Sequence, residues 1–264
     1  MENILVPIGS SKNAVNTLQY AIDFVQGTNA KIYIIKVYGL TTAANSMKNI
    51  DAVLEKDSDK ELKEVLDAVN PKGATIISKS IKGTIADSIE RVAKQLKVAL
   101  IISSAKSIST DQEVFLGKIA GGLIKGTNIP VLVIPKGYQF KKVSKVLMAI
   151  KSGIISSSDV LTPLKDIIQR FGATLDLIRV ITPKSKPEDA EMNDELKSLT
   201  VNFKITENGT IFQGVLEHIH ESNPDMVCVI RRKRGFFVRL WEHDRVYKKD
   251  FESRIPLLVL KGAF

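Results

Sequence analysis

Two groups of side chains in this chain are of types that do chemistry. Ser10 and Ser11 follow the short apolar run 4–8, Ser103 and Ser104 follow the apolar run 98–102, and Lys118 lies in a later helical run, 114–125. If the apolar runs are strands of an open α/β sheet, these hydroxyls and the ammonium collect outside the strand C-termini. Such sheets bind ligands there, and this set suits an anion. The same serines also read as helix caps and solvated loop residues, because a hydroxyl at a helix start takes an orphan amide.

The second group is basic. Arg231, Arg232, Lys233 and Arg234 precede Phe236, Phe237, Arg239, Trp241, Arg245, Tyr247, Lys248 and Lys249. Cations interleaved with aromatics bind nucleic acid through phosphate contacts and stacking, or rest on an anionic membrane. The competing reading is an amphipathic helix that buries Phe237 and Leu240 and leaves its cations in water. Glu242, Asp244 and Asp250 interrupt the charge and favour that reading. Metal catalysis lacks a ligand set. His218 and His220 point to different helix faces, His243 is remote in sequence, and no Cys-x-x-Cys or His-Glu-x-x-His occurs. The serine-rich stretch 153–159 assembles no Ser-His-Asp spacing and reads as a helix cap. No Gly-x-Gly-x-x-Gly follows the first strand, which argues against a dinucleotide enzyme. No catalytic residue is assigned.

The elements that must position these groups follow from periodicity. Apolar runs at 4–8, 31–37, 74–80, 98–102 and 130–134 read as strands. Between them, stripes of helical spacing appear: Val15, Leu18, Ile22 and Val25; Val53, Leu62, Leu66 and Val69; Ile85, Ile89, Val92 and Leu96; and the run 114–125. The alternation predicts a parallel sheet with right-handed crossovers. Residues 137–142 read as a linker, and the cycle restarts. Strands are expected at 146–150, 174–181, 201–205, 226–230 and 257–260. The helices between them carry Val160, Leu164, Ile168 and Phe171, then span 189–199 and 210–221, and a loop and helix follow at 231–252.

The chain is written twice. Ile129-Pro130 and Ile255-Pro256 each open an aliphatic run and stand 126 residues apart, as do Gly83-Thr84-Ile85 and Gly209-Thr210-Ile211. In both of the latter, Thr is placed to cap a helix. Gln213 completes a capping box, and Asp87 gives a looser version. Two matches in one register predict two like domains, 1–137 and 143–264, joined by 138–142.

A chain of 264 residues suits two ordinary domains. Its formal charge of +9 favours an anionic partner only where the cations cluster. Cys228, the single cysteine, sits in an apolar run and reads as a buried core residue of a protein from a reducing compartment. No apolar run reaches the ~20 residues that span a bilayer, and no signal-peptide pattern opens the chain. The expectation is a cytoplasmic protein.

The residues now on view resemble the universal stress protein family in its tandem form. Asn3-Ile4-Leu5-Val6-Pro7-Ile8-Gly9-Ser10 is similar to the family's first strand and turn, and residues 30–37 to its second strand. Residues 115–120, followed by 129–135, are similar to its last helix and strand. The resemblance covers nearly the whole first half. In the second half it rests on element order, the Gly-Thr-Ile match and the Ile-Pro strand.

It implies two Rossmann-like open sheets of five strands each. It also implies a pseudo-dimer within one chain, with the last strands, 130–134 and 257–260, meeting about a pseudo-twofold, and room for a homo-oligomer. Pairing those strands would remove two exposed edges.

Some members of the family bind ATP. Their pattern has an Asp after the first strand and a glycine-rich run, Gly-x2-Gly-x9-Gly-Ser/Thr, after the fourth, whose amides approach phosphate. Here Gly9 holds the Asp position, Ser103 and Lys106 stand for the first two glycines, and Gly117 survives, followed by Lys118. In the second half Lys151 holds the Asp position and Arg231–Arg234 replaces the phosphate loop. The resemblance therefore implies a cleft formed by Gly9, Ser10, Val37, Ser103, Ser104, Gly117 and Lys118, with a degenerate nucleotide motif and no assigned cofactor. The expected function is a stress-associated, non-catalytic binding or adaptor protein. The alternatives are a weak ATPase switch in the first half, or an adaptor to an anionic partner through 231–249.

Overall fold

The apolar run Asn3–Ile8 forms strand β1. It pairs in parallel with β2 (Lys31–Tyr38), from Asn3 opposite Lys31 to Ile8 opposite Lys36. The structure is a computed structural model and describes residues 1–9, 13–39, 50–105, 117–155, 157–231 and 255–262. It divides into two compact units, Met1–Phe140 and Lys141–Phe264.

In the first unit β3 (Thr75–Lys82), β4 (Leu100–Ser104) and β5 (Val131–Ile134) complete a sheet of order β3-β2-β1-β4-β5, parallel throughout. Ile4, Leu5, Val6, Leu100, Ile101 and Ile102 are 0% exposed, the pattern of strands covered by helices on both faces. Helix α1 (Asn13–Val25) buries Leu18, Ile22 and Val25 as its spacing predicts, and also Tyr20 and Phe24. The other helices are α2 (Ile50–Asp67), α3 (Ile85–Gln95) and α4 (Gly117–Gly126).

Two apolar residues expected in helix cores lie outside them. Val53 is 54% and Ile85 42% exposed, while Leu62 and Ile89 are buried. The buried face of α3 instead runs through Ser88, Ile89 and Ala93, so small residues let the helix approach the sheet.

The second unit repeats the topology. Strands β6 (Lys145–Ile150), β7 (Thr174–Ile181), β8 (Thr200–Glu207), β9 (Met226–Arg231) and β10 (Leu257–Lys261) form the order β10-β9-β6-β7-β8, again parallel. Helix α5 (Thr162–Phe171) follows a 3₁₀ turn at Ser158–Leu161 and stops at Gly172, whose φ of 67° suits a residue without Cβ. Its buried residues are Pro163, Leu164 and Ile167; Ile168 is half-buried. Helix α7 (Ile211–Ser222) starts from the expected capping box. Thr210 Oγ1 accepts the Gln213 amide at 3.2 Å, and Gln213 Oε1 accepts the Thr210 amide at 3.0 Å.

Three expectations are corrected. The helix read at 189–199 is two pieces: a 3₁₀ turn at Pro187–Ala190, and α6, only Asp194–Leu199. The break is fixed by a bridge between Met192 and Gly153, and by Asn193, whose Oδ1 accepts the amides of Glu195 and Leu196 and starts a fresh helix. Thr84 precedes α3, but its hydroxyl makes no cap bond to the backbone; it donates to Asp87 Oδ2 at 2.6 Å.

The third concerns the segment read as a linker, which belongs in part to the first unit. The Phe140 ring meets Tyr20 edge-on at 5.3 Å, and Asn16 Nδ2 donates to the Tyr138 carbonyl at 3.1 Å. Aromatic packing on α1 therefore carries the first unit past residue 137 to Phe140.

Candidate functional site

In the first unit β1 lies between β2 and β4, so the residues after β1 and at the ends of β2 and β4 stand along one edge of the sheet. Gly9 follows β1, half-buried Val37 is next to last in β2, and Ser103 and Ser104 end β4. Ser103 is 1% exposed and belongs to the core; Ser104 is half-buried. Gly117 is the first residue of α4. The structure thus gathers Gly9, Val37, Ser103 and Ser104 at the C-terminal ends of adjacent strands. Ser10, Ser11 and the Lys118 side chain lie outside the described residues.

No sequence motif signals what faces Gly9. A Cβ placed there would meet Ile119 Cδ1, on the first turn of α4, at 3.1 Å. A larger residue at this position would need the tip of that side chain to give by a few tenths of an ångström.

Two lysines near this end of β2 and β3 are matched by carboxylates from α2. Lys36, 8% exposed, bonds Glu61 Oε2 at 2.6 Å, and Lys82 bonds Asp51 Oδ2 at 2.6 Å. The bond to Asp51 holds the Lys82 ammonium above the usual lysine range. Loss of solvent, then the Glu55 and Asp51 carboxylates, raises the Tyr38 phenol. Cations already paired in this way offer less attraction to an incoming phosphate.

At the corresponding end of the second unit the loop after β6 is tied to a later segment. Lys151 follows β6 as Gly9 follows β1. Its ammonium donates to the Lys184 carbonyl at 2.6 Å and lies 3.1 Å from Asp189 Oδ2. Burial opposes the Asp189 charge, but the Lys186 amide, the Lys151 ammonium and the Ser152 hydroxyl outweigh it and hold the carboxyl below its ordinary range.

One residue further on, Gly153 bridges Met192, and its carbonyl accepts the Asn193 amide at 3.0 Å. A Cβ on Gly153 would sit 2.8 Å from Met192 Cα. Residues 184–193 therefore lie directly on the loop that follows β6. Sequence reasoning missed this clasp because its two sides are far apart in the chain and share no motif.

Of the basic group, Arg231 ends β9, and its carbonyl accepts the Gly262 amide at 2.9 Å. Arg232, Lys233, Arg234 and the rest of the basic, aromatic segment lie outside the described residues. His218 is half-buried with Nδ1 2.9 Å from the Gly214 carbonyl, whereas His220 is exposed.

A cavity of about 220 Å³ lies beneath α7, lined by Lys145, Leu147, Asp176, Asn202, Lys204 and His218 among others. Its lining includes Lys145, the first residue of β6, and Asp176, the third of β7. Both its carboxylates are engaged: Asp176 accepts from Ser222 Oγ at 2.7 Å and Asn202 Nδ2 at 2.8 Å, and Glu221 is paired with Lys204.

These features define a tandem α/β protein of two open parallel sheets. The profile of the universal stress protein family matches residues 1–135, and the chain belongs to that family. A universal stress protein of Methanocaldococcus jannaschii is 25% identical over 140 residues, which is 51% of this chain and 82% of the relative.

The crystal structure of a universal stress protein from Archaeoglobus fulgidus superposes with a TM-score of 0.73 at 19% identity. It covers 99% of this chain and 96% of its own, so the likeness in fold runs through both units. A Pseudomonas aeruginosa protein described as a putative universal stress protein gives a TM-score of 0.59 at 16% identity, covering 99% of this chain and 93% of its own. Among the described residues no helix is long and apolar enough to cross a membrane.

Proposed function

We propose that this chain is a stress-associated, non-catalytic binding protein of the cytoplasm, in which the family's nucleotide chemistry has been dismantled. The observation that carries this reading is the fate of the two positions that hold an Asp in the family's nucleotide pattern. In the first unit the position is Gly9, with Ile119 against it. In the second it is Lys151, clasped to Lys184 and Asp189. A carboxylate replaced by a glycine under a methyl group cannot orient a nucleotide. A lysine that spends two of its three donors on Lys184 and Asp189 is a poor ligand for a phosphate.

The buried free thiol of Cys228 suits a reducing compartment. The test of the non-catalytic reading is phosphate release from ATP in the presence of Mg²⁺. Release indistinguishable from buffer is expected. Turnover that scales with protein and disappears on changing residues around Gly117 would favour a first-unit ATPase switch instead.

A further inference from the structure

Strand β8 is the last strand of the second unit's sheet among the described residues. It exposes three large apolar side chains at alternate positions, Val201 at 63%, Phe203 at 44% and Ile205 at 51%. Phe203 and Ile205 are opposite Leu177 and Arg179 on β7 and so share their face; the register slips by one residue at Val201. An exposed apolar edge strand invites pairing with another chain, and proteins ordinarily blunt such edges with charge or a covering helix.

The first unit does so at the equivalent strand. Ser80 on β3 is in register with Lys36, whose ammonium reaches Glu61 on α2, so the face toward that 18-residue helix carries serine. On the opposite face the exposed Ile77 is followed by exposed Lys79. In the second unit the counterpart helix α6 has 6 residues, and Val201, Phe203 and Ile205 make an unbroken apolar row on their face before exposed Glu207 ends it.

The other face of β8 is held in place. Asn202 donates to Asp176 at 2.8 Å, Lys204 is paired with Glu221, and Thr206 donates to Asn208 at 3.0 Å. The strand is thus fixed against its own unit, with an apolar row and one backbone edge left over.

We propose that this edge is a self-association surface, on which two copies of the chain pair their β8 strands antiparallel about a twofold at Phe203. Charge and side-chain type select that register. It sets Val201 opposite Ile205, Thr200 opposite Thr206, Asn202 opposite Lys204 and Phe203 opposite itself, all favourable or neutral cross-strand pairs. Moving the axis to Lys204 would oppose two ammonium groups, and moving it to Asn202 would separate Val201 from Ile205. A twofold gives an isologous, closed dimer rather than a fibre. Edge pairing over one strand buries little surface, so the dimer is weak and concentration-dependent.

Sedimentation of the full chain across a concentration series tests this. A reversible monomer–dimer equilibrium is expected, and Phe203→Lys, which opposes two charges at the axis, should weaken it by roughly tenfold or more. Because position 203 is exposed, the circular dichroism spectrum should not change. Register is read by disulfide trapping, since Cys228 is buried and silent.

In an antiparallel pair facing Cα atoms are ~4.5–5.5 Å apart, within the ~4.4–6.8 Å span of a disulfide. Phe203→Cys should therefore cross-link under mild oxidation. Val201→Cys, offset from its own copy by about four residues of ~3.4 Å each, should not. A monomer at every concentration overturns the proposal and leaves the edge to a strand from another protein. Undiminished dimerisation of Phe203→Lys, or equal trapping at 201 and 203, overturns it as well.

Discussion

Lys151 and Asp189 meet at 3.1 Å across the end of β6, and the same ammonium donates to the Lys184 carbonyl at 2.6 Å. The contact ties the loop after β6 to residues 184–189 at the end of the second unit's sheet where open α/β sheets bind ligands. It also makes a pH-dependent contribution to stability. The Asp189 carboxyl is held below its ordinary range, so the folded state binds its proton less readily than the unfolded chain. The stabilisation is complete above the ordinary Asp value of about 4 and is lost as pH falls through the lower folded value. Asp189→Asn should therefore be less stable than the parent near neutrality, by about 1 kcal/mol. The two should converge in acid, as read by urea melts at a series of pH values.

The bridge beside that pair should tolerate no side chain. Gly153→Ala places a Cβ 2.8 Å from Met192 Cα, a backbone atom that cannot swing aside. A loss of about 1–3 kcal/mol is expected, typical of overpacking. Met192→Ala should not restore it, because the clash is with the main chain.

The two threonines that mark the internal repeat should now differ in worth. Thr210→Ala removes a hydroxyl that accepts the Gln213 amide and should cost α7 about 1 kcal/mol. Thr84→Ala removes only an exposed bond to the Asp87 side chain and should cost a few tenths at most, within roughly 0.5 kcal/mol. Chemical denaturation of both variants checks the contrast.

Cys228 is 0% exposed on β9, and burial pushes its thiol far above the range in which a thiolate forms. A thiol reagent should label the native protein only at the rate of unfolding, and label it at once in denaturant.

Much of the fold was readable because it is written in aliphatic runs. Ile4-Leu5-Val6 and Leu257-Leu258-Val259 are too short and too branched for helices, and all six become buried strand residues. The repeat of Gly-Thr-Ile located α3 and α7. Periodicity failed where tertiary contacts overrode it. Residues 189–199 have helical spacing, but the Gly153–Met192 bridge draws out the chain between Ala190 and Asp194.

The candidate site was legible only by position. Gly9, Val37, Ser103 and Ser104 do come to one edge of the sheet. That Ile119 stands beside Gly9, or that Lys151 is tied to Asp189, depends on side chains distant in sequence, and neither pair carries a recognisable spacing.

Loss of nucleotide recognition from both units, as proposed above, is decided by isothermal titration of the full chain with Mg²⁺-ATP. No saturable heat is expected with protein in the tens of micromolar. A one-to-one isotherm with a micromolar dissociation constant, about −8 kcal/mol of binding free energy, would contradict it.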